Sequence, residues 1–405
     1  MESVDLLITH ANELLTLKGP KKPRILEQMK KLSIIIDGSV AVRNGLIVDV
    51  GRNLRYDAET IIDATGKLVM PGFVDPHTHV VFAGSREFEL GLKLAGVPYM
   101  EILKRGGGIF HTVEATRKAS PAQLLQQSKR RLDTMLSYGT TSCEAKTGYG
   151  LDVGTELKLL KVQKKLQKTH PMDLVSTFLG AHAVPKHQQA AEYIRTVIAE
   201  MLPKTKGLAR FCDVFCEKGV FTVPQARKIL EAAKQYGLVP KIHADEIVHT
   251  GGASLAAEVG AISADHLLQS SEAGLQAMAQ KNVIGVLLPG TPFCLMMQQY
   301  APARKIIDCG VPVALATDLN PNCWTENMQL MIQLACLKMQ MTPAEAITAA
   351  TVNAACAIGM QNTVGSLEIG KQADVLILDC PNHQFLPYHF GVNLVETVIK
   401  KGHVL

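Results

Sequence analysis

Gly72-Phe73-Val74-Asp75-Pro76-His77-Thr78-His79 is the stretch from which the fold is read. A short apolar, β-prone run closes on two histidines two residues apart, and alternate residues of a strand project to the same side. The same pattern of an apolar run ending in polar residues recurs at 140–146, 174–182, 213–217, 240–245, 261–266, 283–288 and 311–318. Amphipathic stretches lie between these runs. In one, Ser120 and Pro121 are N-cap and first helical residue, and Leu124, Leu125, Leu132, Met135 and Leu136 share a face. Another runs from Pro224 through Ile229, Leu230 and Ala233 to a stop at Gly237. Strand and helix in alternation imply a parallel sheet. Eight such units over residues 72–360 predict an α/β protein built on a closed (β/α)8 barrel of the TIM type, with its site at the C-terminal ends of the strands. An open doubly wound sheet is the alternative.

The two chain ends break this rhythm. Residues 32–36 and 46–50 read as short strands, with Asp37-Gly38 and Asn44-Gly45 as hairpin-turn pairs, and residues 374–378 and 395–399 read alike near the C-terminus. The expected organisation is a small β-sandwich from residues 1–68 and 363–405 flanking a barrel of residues 69–362.

Composition fits a large globular protein: 405 residues, 47% hydrophobic and 20% charged. The net charge of +5 is too small and too dispersed to predict a nucleic-acid partner. The lysines at 158, 161, 164, 165 and 168 have helical spacing and read as a solvated face. Nine cysteines without a Cys-x-x-Cys pair predict free thiols in a reducing compartment. The N-terminal segment carries Glu2 and Asp5 rather than a basic leader, and no run of about 18 apolar residues occurs, so the expectation is a cytoplasmic protein without a membrane span. Gly148, Gly150 and Gly154 miss the dinucleotide spacing, and Gly106-Gly107-Gly108 reads as a loop.

The chemistry is read from the strand ends. Thirteen histidines in this length give about 0.4 His-x-His pairs by chance, so the pair at 77 and 79 needs company. His182, Glu217, His243, His266 and Asp318 provide it, each at the polar end of a different strand. His77, His79 and His243 offer three nitrogens and Asp318 one carboxylate oxygen, a ligand set for a single zinc or iron ion that activates water. Glu217 ends the fourth strand and Lys218 is one residue out of phase, which favours one metal over two. Glu246, three residues beyond His243, is the acid/base candidate, while Asp245 reads as structural. Arg86, on the loop after the first strand, suits a carboxylate clamp, and Tyr149 on a glycine-flanked loop suits a substrate hydrogen bond. Neither a Gly-x-Ser-x-Gly elbow nor a His-Glu-x-x-His helix occurs.

Taken together, Pro71 to His79, His243, His266 and Asp318 resemble the amidohydrolase superfamily. More narrowly, 82–87, 106–109, 146–150, 180–185, 243–246 and 316–321 resemble its imidazolone-ring hydrolases of histidine degradation, over nearly the whole chain. That resemblance implies opening of a small anionic heterocycle, 4-imidazolone-5-propanoate, by a homodimer with one zinc or iron ion per subunit. It implies that His77, His79, His243 and Asp318 bind the metal and that Arg86, Tyr149, His182 and Glu246 contact substrate. It also implies that His266 bonds the attacking water or the oxyanion, and that Asn320, Asn322 and Cys323 line the product site. The chain departs from the resemblance at Asn322-Cys323, where many members carry Gly-Ser. A nucleobase deaminase of the same superfamily, or a barrel kept as a non-catalytic scaffold, are the competing expectations.

Overall fold

The computed structural model describes residues 2–97, 101 and 105–405. The chain begins in a sheet of its own: β1 (Ser3–Leu15), β2 (Ile34–Arg43), β3 (Leu46–Arg52), β4 (Asp57–Asp63) and β5 (Leu68–Pro71). β1 pairs antiparallel with β2 and parallel with β4 along its first half, then parallel with β5 beyond a bulge between Ile8 and Ala11. Strands from the other chain end, β14 (Val375–Leu378), β15 (Val395–Lys400) and β16 (His403–Val404), continue the sheet past β5. The flanking unit is therefore one hydrogen-bonded sheet whose two arms share a core containing Leu6, Ile8, Leu14, Val40, Val375, Ile377 and Ile399.

Asn44-Gly45 makes the expected β2–β3 turn, with φ of 53° and 74°. Asp37-Gly38 does not turn the chain, a correction to the sequence reading: both residues lie inside β2, which runs on to Arg43. Gly38 is there for a close approach, since a Cβ on it would sit 2.5 Å from the Leu14 Cβ.

The barrel strands are β6 (Phe73–Asp75), β7 (Thr140–Lys146), β8 (Asp173–Ala181), β9 (Phe211–Cys216), β10 (Val239–Ala244), β11 (Ser263–His266), β12 (Ile284–Leu287) and β13 (Val313–Leu315). Among the described residues they form a parallel sheet in sequence order. β6 stops short of the expected run to residue 79, because Pro76 has no N–H to carry the ladder. The chain stays extended beyond it. Thr78 bridges Leu319, the Asp318 N–H bonds the His77 carbonyl at 3.1 Å, and the His79 N–H bonds the Leu319 carbonyl at 2.8 Å. These contacts join the segments after β6 and β13 and close the barrel around the predicted site.

Helix signals hold where they were read. Ser120 and Gln123 form a capping box before the helix Pro121–Ser137, and Thr222 and Gln225 do so before Val223–Gln235. Leu132, Leu160, Ile229, Leu275 and Ile332 belong to one core between strands and helices. Val74, Phe211, Ile284 and Ala314 meet Ala354 and Ile358 in a second core. No described helix is long and apolar enough to cross a membrane, and all nine cysteines are free thiols.

Candidate active site

The ends of the strands bring the predicted ionisable residues to one axis. His77 and His79 follow β6, His243 sits in β10, His266 ends β11, and Asp318 lies three residues past β13. One ligand atom from each of His77, His79 and His243 lies within 4.8 Å of the other two, and His77, His266 and Asp318 form a second such group. Asp318 Oδ1 stands 3.4 Å from His77 Nε2 and 3.7 Å from His79 Nε2. All of these side chains are buried. Asp245, His266 and Asp318 carry φ of 52°, 78° and 54°, a left-handed backbone that costs non-glycine residues about 1–3 kcal/mol each. Each of the three lies where the chain turns away from the end of a strand.

A cation fits this group. His77 Nδ1 is 2.6 Å from Asp265 Oδ2, yet its Nε2 is buried without a hydrogen-bond partner and faces the Asp318 carboxylate. Burial, reinforced by Lys146 and the other imidazoles, holds His77 and His243 well below the usual histidine range, and burial with His182 and His243 does the same for His79. Three neutral imidazoles beside a carboxylate form the donor set of a divalent metal site, in which a second carboxylate commonly fixes the tautomer of each ligating histidine.

That outer layer escaped the sequence reading. Asp265 Oδ2 touches His77, and Asp213 Oδ2 lies 3.0 Å from His243 Nδ1. Lys146 Nζ reaches the same two oxygens, at 2.6 Å for Asp213 and 3.3 Å for Asp265, and also Glu144. Lys241 Nζ bonds Glu144 at 2.7 Å and the Pro76 carbonyl at 3.1 Å. Two ammonium groups and three carboxylates are thus fully buried under the histidines. Burial works against the Lys146 charge, but Asp213, Glu144 and Asp265 outweigh it and hold the lysine protonated above its ordinary range.

The residues expected to meet substrate form a wall beside this group. His182 stacks on His79 with ring centroids 5.0 Å apart and an interplanar angle of 12°, its Nδ1 3.1 Å from the Gly148 carbonyl. Tyr149 packs 5.4 Å from both rings. A Cβ on Gly148 would fall 2.7 Å from His182 Nδ1, so this loop needs glycine there. Glu246 Oε2 lies 3.6 Å from His266 Nε2. Burial first, then the charges of Asp318 and Glu217, push the Glu246 carboxyl up to about 8, while burial brings His182 and His266 down to about 4. Glu217 turns from the axis: its carboxylate accepts from the Lys218 and Ile247 N–H groups and fixes the loop that carries Glu246. Asp245 is structural, accepting from the backbone of Thr250, Gly251, Gly252 and Ala253.

Arg86 and Asn322 stand farther out, on the wall of a cavity of about 840 Å³. Arg86 makes a two-point pair with buried Glu89, at 2.7 and 2.8 Å, and Glu89 also accepts from the Gly108 N–H. Lys93, another residue the sequence reading passed over, bonds Asn322 Oδ1 at 2.7 Å. Asn320 Oδ1 accepts from the N–H groups of Asn322 and Cys323, and its amide returns to the Asp318 carbonyl at 2.7 Å. The Asn322–Cys323 loop is thereby tied to Asp318.

Comparison with known proteins agrees with this geometry. The model of the amidohydrolase family matches residues 68–405. The imidazolonepropionase of Alkaliphilus metalliredigens (strain QYMF) is 53% identical over 413 residues, covering 99% of this chain and 98% of that protein. That of Geobacillus kaustophilus (strain HTA426) is 55% identical over 415 residues, covering 99% and 97%. Among solved structures, an adenosine deaminase from Xanthomonas campestris with bound zinc superposes with a TM-score of 0.74 at 21% identity, covering 100% of this chain and 93% of that one. Atrazine chlorohydrolase from Arthrobacter aurescens with zinc gives 0.72 at 15%, covering 99% and 95%. At such identities these structures speak to the fold alone.

Proposed function

The chain belongs to the amidohydrolase family, and within it to the imidazolonepropionases, and from that premise we propose how its residues share the work of the reaction. The reaction is the hydrolytic opening of 4-imidazolone-5-propanoate to N-formimidoyl-L-glutamate in histidine degradation. Full-length identity above half with imidazolonepropionases sets aside the nucleobase deaminase reading.

The observation that carries the assignment of roles is the buried, unpartnered His77 Nε2 facing Asp318, with His79 and His243 beside it. These four residues would hold one zinc or iron ion per subunit, which when bound would supply Lewis acidity for activating water. The chain does the rest. Asp318 takes up the proton of the attacking water, and the Thr291 hydroxyl steadies its Oδ2 at 2.7 Å. Glu246, whose carboxyl burial holds above the usual carboxylate range, donates to the departing ring nitrogen. His266, neutral, hydrogen-bonds the developing oxyanion. Tyr149 and His182 flank the ring, and Asn320, Asn322 and Cys323 receive the opened product.

The propanoate tail goes to Arg86. Glu89 is shared between that guanidinium and the Lys93 ammonium, so the three side chains together leave one net positive charge to meet the tail. Arg86→Ala combined with Glu89→Gln, which leaves no stranded carboxylate, is expected to raise KM by the ten- to hundredfold that about 1.5–3 kcal/mol of charge-assisted bonding represents. Steady-state kinetics on imidazolone propanoate checks this, and an unchanged KM removes Arg86 from substrate recognition. Monitoring imidazolone loss and ammonia together tests the function itself. Ring opening without ammonia is expected, and ammonia from a nucleobase would reverse the assignment. Assembly as a homodimer in the cytoplasm belongs to the same proposal.

A further inference from the structure

Two thiols lie on the elements that hold Asp318, Cys294 on the helix of Thr291 and Cys323 on the product-receiving loop, and neither sulfur takes part in bond making or breaking in the scheme above. Cys294 ends the short helix Gly290–Cys294, and Cys323 lies in the loop after Asp318. Their sulfurs are 3.7 Å apart. Cys323 is fully buried, its Sγ 3.6 Å from the Thr317 carbonyl, whereas Cys294 is partly exposed and borders the outer cavity. The approach depends on Gly290, where a Cβ would meet Cys323 Sγ at 3.1 Å.

We propose that Cys294 and Cys323 form a dithiol modification site that hydrogen peroxide converts to a disulfide. Cys294 is the attacking thiol by exposure, and its hydrogen bond with Cys323, aided by Lys93, lowers its pKa. Its thiolate attacks a peroxide oxygen, the O–O bond breaks, and a sulfenic acid forms as hydroxide leaves and takes a proton to become water. The Cys323 thiol attacks that sulfur and gives up its proton, the S–S bond forms, and the sulfenic oxygen departs as a second water. Two electrons pass from the sulfurs to the peroxide.

Closing the bond draws the sulfurs to about 2.05 Å, and both carriers bear on Asp318. Thr291, on the helix of Cys294, bonds Asp318 Oδ2. Asn320, which accepts from the Cys323 N–H, bonds the Asp318 carbonyl. The disulfide therefore pulls on a residue whose placement the reaction requires, and displacements near 1 Å cost about 10²-fold in rate. The loss of rate rests on the role given to Asp318 above; the disulfide does not.

The test treats the metal-loaded full chain with hydrogen peroxide, counts thiols and maps linked peptides by tandem mass spectrometry. Turnover is followed before and after a phosphine reductant. Of nine thiols, two should be lost with a Cys294–Cys323 linkage and a mass decrease of about 2 Da. Activity should fall about 10²-fold and return on reduction. Cys294→Ser, compared with its own untreated activity, should resist. Retention of all thiols, or oxidation of Cys294 to higher acids without linkage, overturns the site. A linkage formed at undiminished turnover overturns the coupling to Asp318.

Discussion

Glu246→Gln is expected to keep fold and metal while lowering kcat by about 10²–10⁴, the range of a lost, positioned proton-transfer group. Glutamine preserves the shape beside His266 but has no acidic proton to deliver to the leaving nitrogen. Glu246 is not a ligand in the His77, His79, His243 and Asp318 group, so metal content should match wild type. The pH profile gives an independent sign. Glu246 acts as the acid, so activity is present while it is protonated and is lost as pH rises through its pKa. Burial and the charges of Asp318 and Glu217 put that pKa at about 8, and a bound cation lowers it. Wild type should therefore show an alkaline limb at or below this value that Glu246→Gln lacks. Near-wild-type turnover, or an unchanged limb, takes Glu246 out of the mechanism.

Lys146→Met should weaken metal binding by about 10–100-fold, the usual cost of disturbing groups that orient metal ligands. It should also lower stability by about 3–5 kcal/mol, as expected when one partner leaves a buried ionic network. One ammonium contacts both carboxylate oxygens that approach His77 and His243. Without it, Glu144, Asp213 and Asp265 face each other with only Lys241 between them, and the two aspartates lose the anchor that fixes the imidazoles. Denaturant unfolding of the metal-free chain and chelator competition of the loaded one read the two effects separately. Metal affinity equal to wild type, with stability alone reduced, would reduce Lys146 to a packing element.

The barrel was legible because its strands are short apolar runs ending in polar side chains, with helix caps such as Ser120-Pro121 between them. That His77, His79, His243 and Asp318 would converge was legible because strand ends in a barrel share one axis. The layer beneath was not. Lys241 and Asp265 are charged residues within strands, where pattern reading expects apolar side chains, and their partners are remote: Asp213 is 67 residues from Lys146, and Glu144 is 97 from Lys241. Alternation does put Glu144 and Lys146 on one side of β7, a signal that points inward once the barrel is assumed. Asp37-Gly38 misled because the pair serves both turns and crowded strand crossings, and only the neighbour, here Leu14, distinguishes them. Glu217 had the right position along its strand, but the backbone N–H groups of Lys218 and Ile247 claim its carboxylate. Cys294 belonged to no recognisable pattern, since its significance lies in proximity to Cys323.

Metal stoichiometry measured against turnover puts the centre of this account to its most direct test. Metal is stripped from the pure enzyme and restored in steps, and bound ion per chain is set beside the rate of imidazolone propanoate consumption. The rate should rise in proportion to bound ion and level off at about one per chain, with His77→Ala and His243→Ala neither retaining the ion nor turning over. Full turnover by metal-free chain, or by those variants, would contradict it.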